Sequence, residues 1–247
     1  MTTWLTQEGN EGPSTNARQA RSQGVEARGS RGEAGKYLYA IIPIDEEKSF
    51  GNFGIGGGEV YTIICRDVAC VVSDTVVSEY ELTEDNLRGH DQVLRRLLES
   101  YSVLPAEFGS VFQNEKILEH LVKKAYSPIR DGLKLVDDAA ELGVKVVLRK
   151  KPEDAGVEEG TEIIVEILGS LRKIAMKSVS EDLFSDRLIL NESFLVKKGN
   201  VVSFSEEVSR LELKYPSLRF LYSGPWAPHN FIHIKIGREG IVFGKGG

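Results

Sequence analysis

Cysteine is nearly absent from this 247-residue sequence, with Cys65 and Cys70 the only two. That excludes a disulfide framework. Their spacing is not the Cys-x-x-Cys of redox or zinc sites either, so two free thiols in a reducing cytoplasm are expected. No run of roughly 18 apolar residues occurs, which excludes a membrane-spanning helix. The N-terminus carries no apolar signal core, so export is not expected. A basic surplus is missing too: net charge is −6. This disfavours nucleic acid as a partner, because phosphate binding needs clustered Lys and Arg. Hydrophobic residues make up 41% of the chain, enough for a packed core, and the length fits one large domain or two of roughly 100–150 residues.

Residues 1–35 are expected to form a disordered tail. From Gln7 to Gly35 the only large aliphatic residue is Val25, and such a segment cannot bury enough surface to offset its ordering entropy. Order is expected from Lys36. Residues 37–43 are a β-rich run closed by Pro43. A glycine-dense loop at 51–58 precedes a hairpin of residues 60–65 and 68–73 turning at Arg66-Asp67. Thr83 is placed to cap a helix with Glu84 and Asp85 in its first turn and Val93, Leu94, Leu97, Leu98 and Tyr101 on its inner face. Pro105 and Gly109 make residues 104–112 extended. Asn114 caps a helix with Ile117, Leu118, Leu121 and Val122 inward.

After an interruption at Ser127-Pro128, the pattern predicts helix to about Leu142, stopped by Gly143, then a strand at 144–148. A loop at 150–160, an amphipathic helix through Ile163, Ile164, Ile167, Leu168, Leu171 and Ile174, and a strand at 188–196 follow. Ser203 and Glu206 match a capping box for a helix carrying Phe204, Val208, Leu211 and Tyr215. Residues 218–222 and 231–236 read as strands, and residues 238–247 as a frayed end. The fold class is therefore α+β with two domains, 36–112 and 113–237. The element order of the second suits a ferredoxin-like sandwich.

Chemistry-bearing motifs are weak. Gly54 to Gly58 invites a phosphate-loop reading, but the mechanism needs a helix after the glycines, and a β-rich run follows them. His229 and His233 are four apart, yet Pro228 precedes the pair and His233 lies within a strand pattern and not a helix. His90 and His120 lie on predicted helices with no nucleophile motif beside them. The acidic residues are scattered, and nothing selects a catalytic pair.

Seven segments together carry more information. They are Tyr37-Leu38-Tyr39-Ala40-Ile41, Val71-Val72-Ser73, His90-Asp91-Gln92-Val93-Leu94, the run from Val103 to Phe112, Glu141-Leu142-Gly143-Val144-Lys145-Val146, the run from Leu190 to Val196, and Tyr222-Ser223-Gly224-Pro225-Trp226-Ala227-Pro228-His229-Asn230-Phe231. In this order they resemble the gas vesicle protein F/L family, whose closing pattern is Gly-Pro-Trp-x-Pro-x-x-Phe. The resemblance implies two α+β domains, the second a modified ferredoxin-like sandwich with extra helices. It implies an accessory or minor structural protein of gas vesicle formation, with no enzymatic activity, cofactor or metal. The implied partners are the small hydrophobic wall protein and other gas vesicle accessory proteins. The implied location is the gas vesicle, within the cytoplasm of a prokaryote. Neither nucleic acid nor membrane is an expected partner.

Two segments supply the candidate interaction residues: Leu104, Pro105, Phe108, Gly109 and Phe112 in one, and Gly224, Pro225, Trp226, Pro228 and Phe231 in the other. The first is expected at a sheet edge or a domain junction, with Phe108 and Phe112 on one face because their spacing is even. Trp226 is expected to anchor the second by packing. The alternative from a different class is a small-molecule-binding or enzymatic α+β protein using the Gly54–Gly58 loop.

Overall fold

The computed structural model describes residues 34–149, 157–237 and 240–244. The tail expected at 1–35 falls almost wholly outside them. Four long or short strands open the first sheet: β1 (Gly35–Ile42), β2 (Ser49–Asn52), β3 (Glu59–Cys65) and β4 (Val68–Thr75). The β3–β4 hairpin turns where expected, with Arg66 at φ 67. Helix α1 (Glu84–Ser100) follows, its N-terminus closed by Thr83, whose side chain accepts from the Asn86 N–H. Two short strands, β5 (Leu104–Pro105) and β6 (Val111–Phe112), then pair with β1. Helices α2 (Glu115–Lys124) and α3 (Tyr126–Leu135) complete this layer, α2 capped by the Asn114 side chain. Pro128 sits in the first turn of α3, where its missing N–H costs nothing.

β1 is apolar along almost its whole length because both of its faces are covered. Tyr37, Tyr39 and Ala40 pack with Val93, Leu94 and Leu97 of α1. Leu38 and Ile41 face the other way, against Leu118 and Val122 of α2 and Ile129 and Leu133 of α3. A bulge between Leu38 and Ala40 turns Tyr39 and Ala40 to the same side. Cys65 and Cys70 are free and buried in the α2–α3 core. By packing, α2 and α3 go with the first sheet, although they lie beyond the division expected at residue 112.

The second layer runs β7 (Ala139–Leu148), α4 (Val157–Arg172), β8 (Lys177–Ser180), β9 (Leu188–Lys197), α5 (Val201–Lys214), β10 (Leu218–Trp226). Its antiparallel sheet has the order β10-β7-β9-β8. A β-α-β-β-α-β chain in that order is the ferredoxin-like arrangement. Ile167 and Leu171 of α4 and Phe204, Val208 and Leu211 of α5 pack on one face. The outer edge of β10 is blunted against further pairing: the Phe220 N–H donates to Glu212 Oε1, the Leu218 N–H to the Tyr215 carbonyl, and Pro225 has no N–H.

Several expectations are corrected here. Residues 139–142 are strand, not helix. Gly143 lies inside β7, where a Cβ would come within 2.7 Å of Ser223 Oγ, so it allows close packing and does not stop a helix. Residues 157–160 belong to α4 and not to a loop; the remainder of that loop, 150–156, lies outside the described residues. α5 starts before Ser203, so the Ser203–Glu206 capping box is not used. Ile117 is exposed and not inward. β10 continues through Gly224-Pro225, which is a cis peptide bond. Finally, β11 (His233–Gly237) pairs with β12 (Gly240–Gly244), part of the end expected to fray.

Backbone and side-chain bonds tie the layers together. Ala106 bridges in parallel to Ile234, and the Glu107 N–H donates to the Ile234 carbonyl at 3.0 Å. At the far end of α1, Lys198 Nζ donates to the carbonyls of Leu98 and Tyr101, where a cation complements the helix C-terminus. No helix among the described residues is long and apolar enough to cross a membrane.

Candidate interaction surface

The two candidate segments meet at one junction. Residues 104–107 lie between β1 and β11, and the chain from Trp226 to His233 crosses from the second sheet to the first. His90 of α1 stands where they converge: its ring centroid is 5.9 Å from Phe108 and 6.5 Å from His229. Tyr37 Oη lies 2.9 Å from His90 Nδ1 and accepts from the Gly109 N–H at 3.1 Å. Beside them His233 Nε2 is 3.1 Å from Glu107 Oε1, and His233 Nδ1 is 3.0 Å from the His229 carbonyl.

Burial sets the electrostatics. It lowers His90 to about 4, with His229 adding to the shift and the Ala106 carbonyl opposing it. It lowers His229 to about 4 as well; His233 adds, while Asp91 and Glu107 oppose. Burial also pushes the Tyr37 hydroxyl upward. Both imidazoles are therefore neutral at pH 7.

A second polar group holds the other side. Glu141 of β7 is buried, and its carboxylate accepts from Asn230 N at 2.9 Å, Asn230 Nδ2 at 2.8 Å and Ser193 Oγ at 3.2 Å. Burial raises its pKa, and these donors pull it back. Gly224, at φ +115, permits the approach: a Cβ there would sit 2.7 Å from the Glu141 carbonyl oxygen. Sequence reasoning missed Glu141 and Asn230 as a pair. Their only sign was membership of two separate family-like segments.

The ten candidate residues divide by burial. Leu104, Pro105, Phe112, Pro228 and Phe231 are buried; Phe231 packs on Ala139 and Leu195. Gly109 takes φ +83 in a turn where Ser110 N–H and Oγ both bond the Glu107 carbonyl. That turn breaks the strand alternation, so Phe108 and Phe112 do not share a face. Phe108 lies on the α1 side near Tyr37 and His90, and Phe112 packs in the α2–α3 core. Phe108 and Trp226 are half-buried, as is Gly224, and Pro225 is exposed.

Trp226 is held by packing, though not as a core residue. Arg95, ion-paired to Asp91 at 2.6 Å, stacks with its guanidinium carbon 4.0 Å from the indole centroid. Trp226→Ala should therefore cost only about 1–2 kcal/mol, less than truncation of a fully buried tryptophan. A double-mutant cycle with Arg95→Ala, read by urea unfolding, should return a coupling of about 0.5–1 kcal/mol.

The glycine loop has little left to offer an anion. Gly54 N–H donates to the Gly58 carbonyl, Gly57 N–H to the Gly54 carbonyl, Gly58 N–H to the Ile55 carbonyl, and Ile55 N–H to Tyr39 Oη. A strand follows it in sequence, where a phosphate loop would open a helix.

Comparison with known sequences decides the family. Residues 35–164 and 148–233 match the family described as gas vesicle synthesis protein GvpL/GvpF. The chain belongs to the GvpL/GvpF family. Gas vesicle protein F1 of Halobacterium salinarum is 33% identical over 207 residues, 82% of this chain and 95% of the relative. Gas vesicle protein F of Haloferax mediterranei is 33% identical over 208 residues, with the same coverage. The crystal structure of GvpF from Anabaena sp. PCC7120 superposes with a TM-score of 0.70 over 79% of this chain and 97% of that one, at 20% identity, which shows a shared fold. Within the GvpL/GvpF match lie β1 to β10 and the Gly224–Phe231 segment, and the match ends at residue 233.

Proposed function

We propose that this chain is a non-catalytic accessory or minor structural protein of gas vesicle formation, and that it binds the small hydrophobic wall protein during assembly. The observation that carries this reading is the family match, whose two overlapping segments together span residues 35–233 and so reach both layers. A wall subunit must present an apolar face to the gas space, so before assembly it is an aggregation hazard. A second protein can cover that face until polymerisation begins. The accessible aromatic part of the junction, Phe108 and Trp226, is the surface assigned to that contact. The work then lies at the gas vesicle inside a prokaryotic cell, with other vesicle proteins as further partners.

Two measurements test this at its two levels. Deleting the gene from a vesicle-forming strain should abolish or deform vesicles seen by electron microscopy, and normal vesicles would defeat the reading as a whole. For the contact, the folded double variant Phe108→Leu/Trp226→Leu should bind the purified wall protein at least roughly 10-fold more weakly, since buried aromatic anchors commonly contribute about 2 kcal/mol or more. Wild-type affinity in that variant would remove the junction as the binding surface.

A further inference from the structure

The second sheet has a face that α4 and α5 do not cover. At the end of β7 away from Glu141, a cavity of about 520 Å³ opens on it. Its floor is apolar, formed by Val147, Leu148 and Leu221, and Leu221 is 41% exposed. Its walls are Arg149, Arg187 and Arg219. Among the described lining residues there is no carboxylate, in a chain whose net charge is −6. The Arg187 guanidinium is fixed by donation to the carbonyls of Leu148 and Arg149. Arg149 reaches Glu212 at 3.5 Å. The Arg219 side chain is exposed and makes no hydrogen bond or ion pair with any described residue.

The complementary surface is on the same chain. Between β4 and α1, residues 76–82 run in an exposed, non-helical path. Val76 is 101% exposed, Leu82 78% and Val77 45%. Glu79 and Glu81 stand among them, also exposed, their carboxylates making no bond to any described residue. The segment is nonetheless held: Tyr80 Oη lies 2.9 Å from Thr75 Oγ1, and Thr83 is fixed as the cap of α1. It is acidic and apolar where the groove is basic and apolar, and part of its ordering entropy is already spent.

We infer that the Arg149–Arg187–Arg219 groove receives residues 76–82 of a second copy of this chain. Val76, Val77 and Leu82 cover the apolar floor, and Glu79 and Glu81 meet Arg187 and Arg219. The two surfaces are different patches, so the contact is heterologous. A pair of copies keeps one free groove and one free segment, and association continues head to tail. A single contact of this size falls below a standard stable interface, so association is weak, concentration-dependent and sensitive to salt. The variants that test it, at Arg219, Glu79 and Glu81, are not those that test wall-protein binding, at Phe108 and Trp226, so the two readings fail separately.

Sedimentation velocity of the full chain tests it. From roughly 1 to 300 μM at low salt, the weight-average mass should climb above that of the monomer, and about 0.5 M NaCl should reverse the rise. Arg219→Glu alone, or Glu79→Lys/Glu81→Lys together, should each keep the chain monomeric. These positions are exposed, and an unchanged thermal melt confirms folding. Mixing the two variants should restore association, because each supplies the half that the other lacks. A monomer at every concentration would overturn the inference, including the case in which only a foreign acidic protein fills the groove. So would association that either variant leaves intact.

Discussion

Acidification from pH 7 to pH 5 should lower the unfolding free energy of this chain by on the order of 4 kcal/mol, most of it through His90 and His229. Both imidazoles are held to about 4 by burial at the junction, whereas in the unfolded chain they titrate near 6.5. Below pH 6.5 the unfolded state takes up protons that the folded state refuses. Each histidine then costs about 1.4 kcal/mol of stability per pH unit until the folded value is reached. Stability that is complete above pH 6.5 is lost as the pH falls towards 4. The groups facing the pair are Tyr37, Glu107, Asp91 and His233, and the two carboxylates soften the loss at His229. Glu141 acts in the opposite sense, because its raised folded value favours the folded state in acid. Urea midpoints measured at pH 7, 6 and 5 check the slope. His90→Asn should remove about half of it, and an unchanged slope would mean that His90 is not buried neutral.

Glu141→Ala should destabilise the chain by about 2–3 kcal/mol, because removing the carboxylate strands the Asn230 backbone N–H in a part-buried site and leaves the Asn230 amide only Ser193 Oγ and the Ser193 hydroxyl only Glu181 as partners. Replacement by Gln keeps the shape but turns one acceptor into a donor that faces a donor. It should cost less, about 1 kcal/mol, since it also relieves the burial of a charge. Denaturant unfolding of both variants at pH 7 gives the comparison. Equal stability of Glu141→Ala and wild type would show that Asn230 finds other acceptors.

Local chemistry made part of this fold legible from sequence. Thr83 and Asn114 announce their helices because a cap is a contact between residues three apart, and the β3–β4 hairpin is likewise a neighbour-to-neighbour event. The strand from Ala139 to Leu142 was hidden because Ala, Glu and Leu favour helix locally, while pairing to β9 and β10 decides the outcome. β8 was hidden because Lys177–Ser180 is short and mostly polar. Glu141 lay inside the misread stretch, and its partner Asn230 is 89 residues away. No spacing rule reaches that far. The candidate segments were legible as a pair only through their family likeness, and their burial was not: Phe108 and Phe112 parted because Gly109 inserts a turn that an alternation rule cannot see.

The parallel bridge from Ala106 to Ile234 sets an order of events during synthesis. Ile232 and Ile234 complete the same core as Leu38, Ile63 and Leu104. A ribosome must therefore add more than a hundred residues after the first sheet emerges before that core can close. Until then Leu104, Leu118 and Ile129 have an open flank, on a chain whose contacts are long in sequence and whose closure is correspondingly slow. A nascent chain arrested before Ile232 should bind a hydrophobic dye or a chaperone strongly, and one released after Ile234 should not.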